Sequence, residues 1–244
     1  MRQFDQDGVV VLPRIASTDQ VKELCDVALR HLAAAIPPLE YEADLHYPGA
    51  PPARDAPGGA TVRRLLQAYA RDPVFRAWAT GPEVAEPVRQ LLGSRVLLSQ
   101  THHNCIMTKQ PRYSSETGWH QDIRYWSFQR PQLVSVWLAL GPEFPENGCL
   151  SFLPGTHAVA FSRERLDDAS FLRPDDPRNQ ALIATRVTPV LEPGDAVFFH
   201  CRTAHAASNN STSETKLSLV FSYHAADNPP LPGTRSASQP AVPV

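Results

Sequence analysis

The stretch PGDAVFFHCRTAH, residues 193–205, shows the pattern that decides the fold. Pro193-Gly194 predicts a turn, the apolar run that follows predicts a short buried strand, and a bend precedes a second strand that begins near His205. From Arg95 onward this unit of a short strand and a turn recurs. Strands are predicted at about 96–98, 104–109, 133–140, 149–153, 187–190, 195–200, 204–208 and 217–224. Many short strands separated by turns are typical of a β-sandwich or barrel.

The N-terminal part has a different pattern. Residues 4–12 predict a strand that ends at Pro13, apolar residues at helical spacing predict a helix at about 18–35, and shorter helices are expected at 65–69, 73–78 and 83–92. The long segment 37–61, rich in Pro, Gly and Ala, is either a lid or a disordered insertion. Helices followed by strands indicate an α+β, mainly β, fold with the N-terminal helices packed on one sheet. We expect one domain over 1–226 and a disordered tail over 227–244.

Composition narrows the class of protein. The chain has 244 residues, 42% hydrophobic and 20% charged, with a net charge of −2. These values suit a single domain with a sizeable core and give no sign of a nucleic-acid-binding surface. No apolar run approaches the roughly 18 residues of a membrane span. The start lacks the core of a signal peptide, so a cytoplasmic location is expected. The four cysteines are far apart, which disfavours zinc sites and disulfides.

A candidate metal site begins at Trp119-His120-Gln121-Asp122. Alternate residues of a strand share a face, so His120 and Asp122 are expected to point the same way. Two histidines and one carboxylate are the ligands of non-haem iron sites with open coordination positions. Spacing favours His205 as the third ligand and leaves His200 as its main rival, with four further histidines as weaker rivals: His102, His103, His157 and His224. A structural polar pair is the alternative for His120 and Asp122.

Several blocks, taken in order, resemble the phytanoyl-CoA dioxygenase-like (PhyH) family of Fe(II)/2-oxoglutarate-dependent oxygenases. They are residues 4–13, 109–111, 119–122, 147–157 and 193–205. The resemblance implies a double-stranded β-helix, or jelly roll, with iron bound by His120, Asp122 and His205. It also implies a dioxygenase that uses Fe(II), 2-oxoglutarate and O₂ to hydroxylate an unactivated C–H bond, with succinate and CO₂ as co-products. Because the carboxylate of Asp122 is present, halogenation is disfavoured.

The resemblance also implies where 2-oxoglutarate binds. The family's usual cation for the distal carboxylate is an arginine eleven residues after the second histidine, and this chain has Lys216 there. A lysine can neutralise a carboxylate, although as a point charge and not as a planar fork. Alternatively, Lys216 is a solvated residue at a hairpin end. Further expected co-substrate contacts are Trp137, Cys105, Thr108 and Ser208, and Lys109 lies close to them in the sequence.

The expected substrate contacts are Arg64, Arg124, Trp126 and Gln121, which lie near the metal motif or after the 37–61 segment. A net charge of −2 offers no clear basic surface for a CoA thioester. We therefore expect a small polar or acidic metabolite: an amino acid, a compatible solute, a phosphonate or a sugar acid. The alternatives are a non-catalytic jelly-roll sensor of metal or 2-oxoglutarate, a cupin-like metalloenzyme, and a hydroxylase of an acyl-CoA or a lipopolysaccharide sugar. No nucleic-acid partner is expected, and the protein is predicted to be a monomer or homodimer.

Overall fold

The computed structural model describes residues 2–244, which form a jelly roll with the N-terminal helices on one side. The helices are α1 (Arg2–Asp7), α2 (Thr18–Ala33), α3 (Ala68–Arg71), α4 (Pro73–Thr80), α5 (Pro82–Leu92) and α6 (Pro177–Ile183). The strands are β1 (Val9–Leu12), β2 (Leu39–Tyr41), β3 (Val62–Leu66), β4 (Val96–Leu98), β5 (Asn104–Lys109), β6 (Thr117–His120), β7 (Leu133–Ala139), β8 (Leu150–Phe152), β9 (Ala196–His200), β10 (His205–Ala207), β11 (Lys216–Ala225) and β12 (Val242–Pro243).

Two antiparallel sheets face each other. The larger sheet has the order β1-β9-β7-β11-β5-β3-β2, and β4 and β12 extend it from β11. The smaller sheet has the order β6-β10-β8. This arrangement confirms the predicted jelly roll. None of the helices within residues 2–244 is long and apolar enough to cross a membrane.

The strand β11 shows how the sequence separates two cores. Its residues alternate between the two faces of the larger sheet, because a strand has a side-chain period of two. One set faces the N-terminal helices and packs against their residues Leu24, Phe75 and Val88. This set consists of Leu217, Leu219, Phe221 and Tyr223. Val220 points between the two sheets, where it packs with Trp137 and Phe152. The helices therefore cover one sheet, as predicted, and the space between the sheets remains for the site.

Local structure differs from the expectation in four places. Residues 2–7 form α1 and not the start of a strand, and the strand itself begins at Val9 after Gly8, which has a φ of 73°. Residues 62–66 form strand β3 where a helix was expected to begin at 65. Within 187–190, only Val187 bridges another strand, at Phe152. The segment 160–186, where no helix was predicted, contains helix α6, which begins at Pro177 with Asp176 as its N-cap.

The residues 227–244, predicted to be a disordered tail, are folded against the domain. Asn228 is fully buried, and its amide donates to the carbonyls of Arg130 and Gln132. Ser236 is also buried and lies 2.7 Å from His102 Nε2. The strand β12 then pairs with β4. The segment lacks large apolar residues, and buried polar side chains that hydrogen-bond to distant backbone groups hold it against the domain instead.

Candidate metal and co-substrate site

Two histidines lie opposite each other on the small sheet. His120 ends β6 and His205 begins β10, and the two residues are direct partners in the antiparallel register. Their ring centroids are 4.3 Å apart. Cross-strand partners have side chains on the same face, so the register itself brings these two imidazoles together.

Asp122 completes a group of three. One ligand atom from each of His120, Asp122 and His205 lies within 4.8 Å of the other two. Asp122 Oδ1 is 3.7 Å from Nε2 of both histidines. Asp122 is not on the strand, because β6 ends at His120 and a 3-10 helix begins at Asp122. The turn, and not strand alternation, directs its carboxylate towards the imidazoles.

The surroundings of the two histidines favour the binding of a divalent metal ion. His120 Nδ1 lies 2.8 Å from the carbonyl oxygen of Gly118, and His205 Nδ1 lies 3.0 Å from that of Thr203. An Nδ1–H that donates to a carbonyl leaves the Nε2 lone pair free for a metal. Burial lowers the pKa of both histidines, that of His120 to about 3, so both are in the neutral form that binds metal.

The outer oxygen of Asp122 faces a third histidine. His103 Nε2 lies 2.9 Å from Asp122 Oδ2, but the two are not aligned as a hydrogen bond, and both atoms are buried without a bonded partner. His103 has a φ of 30°, which is unusual for a residue with a Cβ. The charge of Asp122 raises the pKa of His103 to about 9, despite its burial.

Apart from His103, the rival histidines lie away from the three ligands. Strand alternation turns His200 away from Phe199 and the site, and it packs near His157. His102 stacks on Trp126 and contacts Ser236. His224 packs against Phe128. Among residues 2–244, the structure brings together one group of at least three potential metal ligands. This group consists of His120, Asp122 and His205.

A narrow pocket continues from the three ligands into the space between the sheets. It has a volume of about 50 Å³, and its lining includes Trp137, Met107, Phe199, Lys109 and Lys216. Trp137 and Lys216 are thus in the pocket where the resemblance placed 2-oxoglutarate. Cys105 is buried and lines the neighbouring outer cavity.

Two of the expected co-substrate residues point elsewhere. Thr108 lies on the opposite face of β5 from Met107 and Lys109, and its hydroxyl donates to the carbonyl of Val62. Ser208 is exposed, and its hydroxyl donates to the carbonyl of Pro145. Its own carbonyl oxygen accepts a hydrogen bond from Lys109 Nζ, at 2.7 Å.

Lys216 is neither solvated nor unpaired. Its side chain exposes 1% of its surface, and its Nζ lies 3.2 Å from Oε2 of Glu143, which is fully buried. The other oxygen of Glu143 accepts hydrogen bonds from Trp137 Nε1 at 2.9 Å and from the Ser218 hydroxyl at 2.6 Å. The positive charge of Lys216 is therefore balanced within the protein.

An outer cavity of about 490 Å³ opens on the metal ligands. Three of the predicted substrate residues line it, namely Arg64, Arg124 and Trp126. Gln121 does not, since its amide donates to the carbonyls of three residues in the surrounding loops: Thr156, Val159 and Arg202. Glu40 and Tyr47 place part of the 37–61 segment, predicted to be a lid or a disordered insertion, in the wall of this cavity.

Sequence reasoning missed some residues of the site and gave others no definite role. Lys109 was noted only as a neighbour of Thr108, whereas alternation from Cys105 along β5 favours Lys109 over Thr108. Glu143 follows a turn, and no local pattern shows that it folds back on Lys216. Arg235 lines the outer cavity from the segment that was expected to be disordered.

Comparison with known proteins identifies the family of this chain. The phytanoyl-CoA dioxygenase family model matches residues 4–218. The chain belongs to the phytanoyl-CoA dioxygenase family. Membership makes it an iron- and 2-oxoglutarate-dependent dioxygenase, and the residues described above are its candidates for binding both groups.

Individual relatives agree with this assignment. Ectoine dioxygenase from Sphingopyxis alaskensis is 28% identical over 242 residues, which cover 92% of this chain and 74% of that protein. L-proline trans-4-hydroxylase from Streptomyces griseoviridis is 27% identical over 213 residues, covering 77% and 78% of the two chains. The epimerase SnoN, crystallised with Fe³⁺, alpha ketoglutarate and nogalamycin RO, superposes with a TM-score of 0.74 at 25% identity. That match covers 100% of this chain and 93% of SnoN.

Proposed function

We propose that this dioxygenase hydroxylates an unactivated C–H bond of a small metabolite that carries an anionic group. His120, Asp122 and His205 bind the iron, and the narrow pocket binds 2-oxoglutarate. When bound, these groups would let O₂ act as the oxidant, with one oxygen atom added to the C–H bond and the other ending in succinate as 2-oxoglutarate loses CO₂. The observation that carries the proposal is the outer cavity, which is lined by two of the three ligands, His120 and Asp122, and has an excess of cations.

The charges of the outer cavity favour an anionic substrate. Arg64 is paired with Glu40, at 3.2 Å. Arg124 and Arg235 also line the cavity, and within residues 2–244 neither forms an ion pair. Arg124 Nε is buried without a hydrogen-bond partner. An arginine fork suits a carboxylate or phosphonate, and the cavity volume suits a small molecule.

The protein also shapes the approach to the ligands. Phe171 packs edge-on against His120, with 5.6 Å between the ring centroids, and the Arg124 guanidinium lies 4.1 Å above the Phe171 ring. Trp126 packs edge-on against His103. These rings limit water near the metal ligands and restrict the side chains that hold the substrate in position. L-proline trans-4-hydroxylase and ectoine dioxygenase, both named for small molecules, support the same substrate size.

Binding of iron and 2-oxoglutarate tests the enzyme class. Anaerobic addition of Fe(II) and 2-oxoglutarate should give a weak visible charge-transfer band, and O₂ should then yield succinate. His205→Ala should lose both signals, whereas the matched control His200→Ala should keep them. A wild-type protein that gives neither the band nor O₂-dependent succinate would refute the proposal.

A panel of substrates tests the specificity. Small carboxylates, zwitterions and phosphonates should raise the rate of succinate formation above the substrate-free rate, and acyl-CoA thioesters should not. Arg235→Gln should raise the KM of an active substrate by about tenfold or more, as expected for loss of a charge-assisted bond. Arg30→Gln, an exposed control on helix α2, should leave it unchanged. Stimulation confined to neutral compounds or to acyl-CoA would contradict the anionic class.

A further inference from the structure

Three cations lie at the closed end of the narrow pocket. Arg63, Lys109 and Lys216 all line it, and each exposes 5% or less of its surface. Lys109 and Lys216 are direct register partners on β5 and β11. Like charges at directly opposed positions destabilise a sheet unless other groups compensate them.

Buried carboxylates compensate two of the three. Glu42 lies 3.0 Å from Arg63, and Glu143 lies 3.2 Å from Lys216. Lys109 has no carboxylate partner among residues 2–244, and its Nζ donates instead to the carbonyls of Ser115 and Ser208. The closed end therefore has three cations and two anions, and the missing negative charge is next to Lys109.

Lys109 is also prepared to accept a ligand. An ammonium group has three N–H donors, and two of them are used by the two carbonyls. Burial, followed by the charge of Arg63, lowers the pKa of Lys109 to about 7. An isolated buried charge is costly, so an arriving carboxylate both stabilises the ammonium and fills the vacant donor.

We propose that Lys109, and not Lys216, is the principal cation for the distal carboxylate of 2-oxoglutarate, because Glu143 already neutralises Lys216. This inference rests on the proposed use of 2-oxoglutarate. Because Glu143 neutralises Lys216, Lys109 is the one cation of the pocket, within the described chain, that has no carboxylate partner. Lys216, Ser218 and Glu143 then form a polar group that has no net charge.

The direct test compares two keto acids of equal length. Isothermal calorimetry with anaerobic Fe(II)-loaded protein gives the Kd of 2-oxoglutarate and of 2-oxopentanoate, which lacks the distal carboxylate. The wild-type protein should prefer 2-oxoglutarate, and Lys109→Gln should reduce that preference by about tenfold or more. The matched control is the double variant Glu143→Gln/Lys216→Gln, which removes the neutral pair and should keep the preference within about threefold.

The outcomes separate this inference from the proposed function. If the wild-type protein binds neither keto acid, the proposed function fails. If it prefers 2-oxoglutarate, and Lys109→Gln keeps that preference while the double variant loses it, only the role of Lys109 is refuted. A lysine with a merely structural role would weaken both keto acids equally, so an unchanged ratio in Lys109→Gln also overturns the inference.

A second measurement needs no variant. Calorimetry of the wild-type protein at pH 8 in buffers of different ionisation enthalpy counts the protons taken up with each keto acid. The charged groups that face Lys109 are Arg63, Lys216, Glu42 and Glu116. With a free pKa of about 7, Lys109 should take up on the order of half a proton or more with 2-oxoglutarate and much less with 2-oxopentanoate. Equal uptake with both acids would contradict the role of Lys109, even if Lys109→Gln does not fold.

Discussion

The buried ion pair between Glu143 and Lys216 offers a test by stability alone. Glu143→Gln removes one charge and keeps the shape of the side chain, and Lys216→Met removes the other at similar length. The third variant combines both changes. Each single change leaves a buried charge without its partner, whereas the double change leaves none.

The magnitude follows from the geometry. At 3.2 Å, two unit charges attract by about 5 kcal/mol at an effective dielectric constant of about 20. Breaking a buried pair costs about 3–5 kcal/mol, while replacing both partners with neutral groups costs far less. Lys216→Met should cost less than Glu143→Gln, because Trp137 and Ser218 still donate to the carboxylate. We expect a coupling energy of about 2 kcal/mol or more.

Urea unfolding of the four proteins, without keto acid, measures this coupling. The free energies of unfolding are compared by linear extrapolation, and similar slopes show that the variants expose similar surface. If the double variant loses as much stability as the two single variants together, within about 0.5 kcal/mol, the two side chains are independent. That result would refute the pairing and, with it, the reason for assigning the distal carboxylate to Lys109.

Three further predictions concern other parts of the molecule. Ser236→Ala removes the hydroxyl bonded to His102, and we expect a loss of about 1–3 kcal/mol in the same urea assay. Gly118→Val places a Cβ 3.1 Å from the Phe171 ring, so thermal shift with Mn(II) should show weaker metal-dependent stabilisation than in wild type. An undiminished shift would exclude this crowding. The pKa of Lys109 is lowered from 10.5 to about 7 in the folded protein. Between these pH values the unfolded chain therefore binds more protons than the folded protein does. Stability without keto acid should therefore increase from pH 7 to pH 9, and Lys109→Gln should increase less.

The sequence was sufficient for the parts of the molecule that depend on local pattern. Apolar periodicity predicted helix α2, and turn residues separated most of the strands. The pairing of His120 with Asp122 could be read from their spacing, although a turn and not a strand orients the carboxylate. Spacing favoured His205 over His200 as the third ligand but left His200 open, and the family resemblance decided between them.

Long-range polar contacts could not be predicted. Glu143 comes after the turn at Gly141-Pro142, and its burial depends on a lysine 73 residues later. The segment 227–244 has the composition of a disordered tail, yet Asn228 and Ser236 bond to groups about a hundred residues earlier in the chain. Such bonds depend on the completed fold, and no periodicity in the local sequence signals them.

The register pairing of His120 with His205 constrains how this protein can change in evolution. An insertion of one residue into β6 or β10 would turn one imidazole to the opposite face of the small sheet and disable the metal site. The same change in β5 would exchange Lys109 for Thr108 at the closed end of the pocket. Length variation among descendants should therefore accumulate in the connections between strands, where it shifts no pair of facing side chains. Relatives could then acquire new substrates through their loops while the strands retain the iron and keto-acid chemistry.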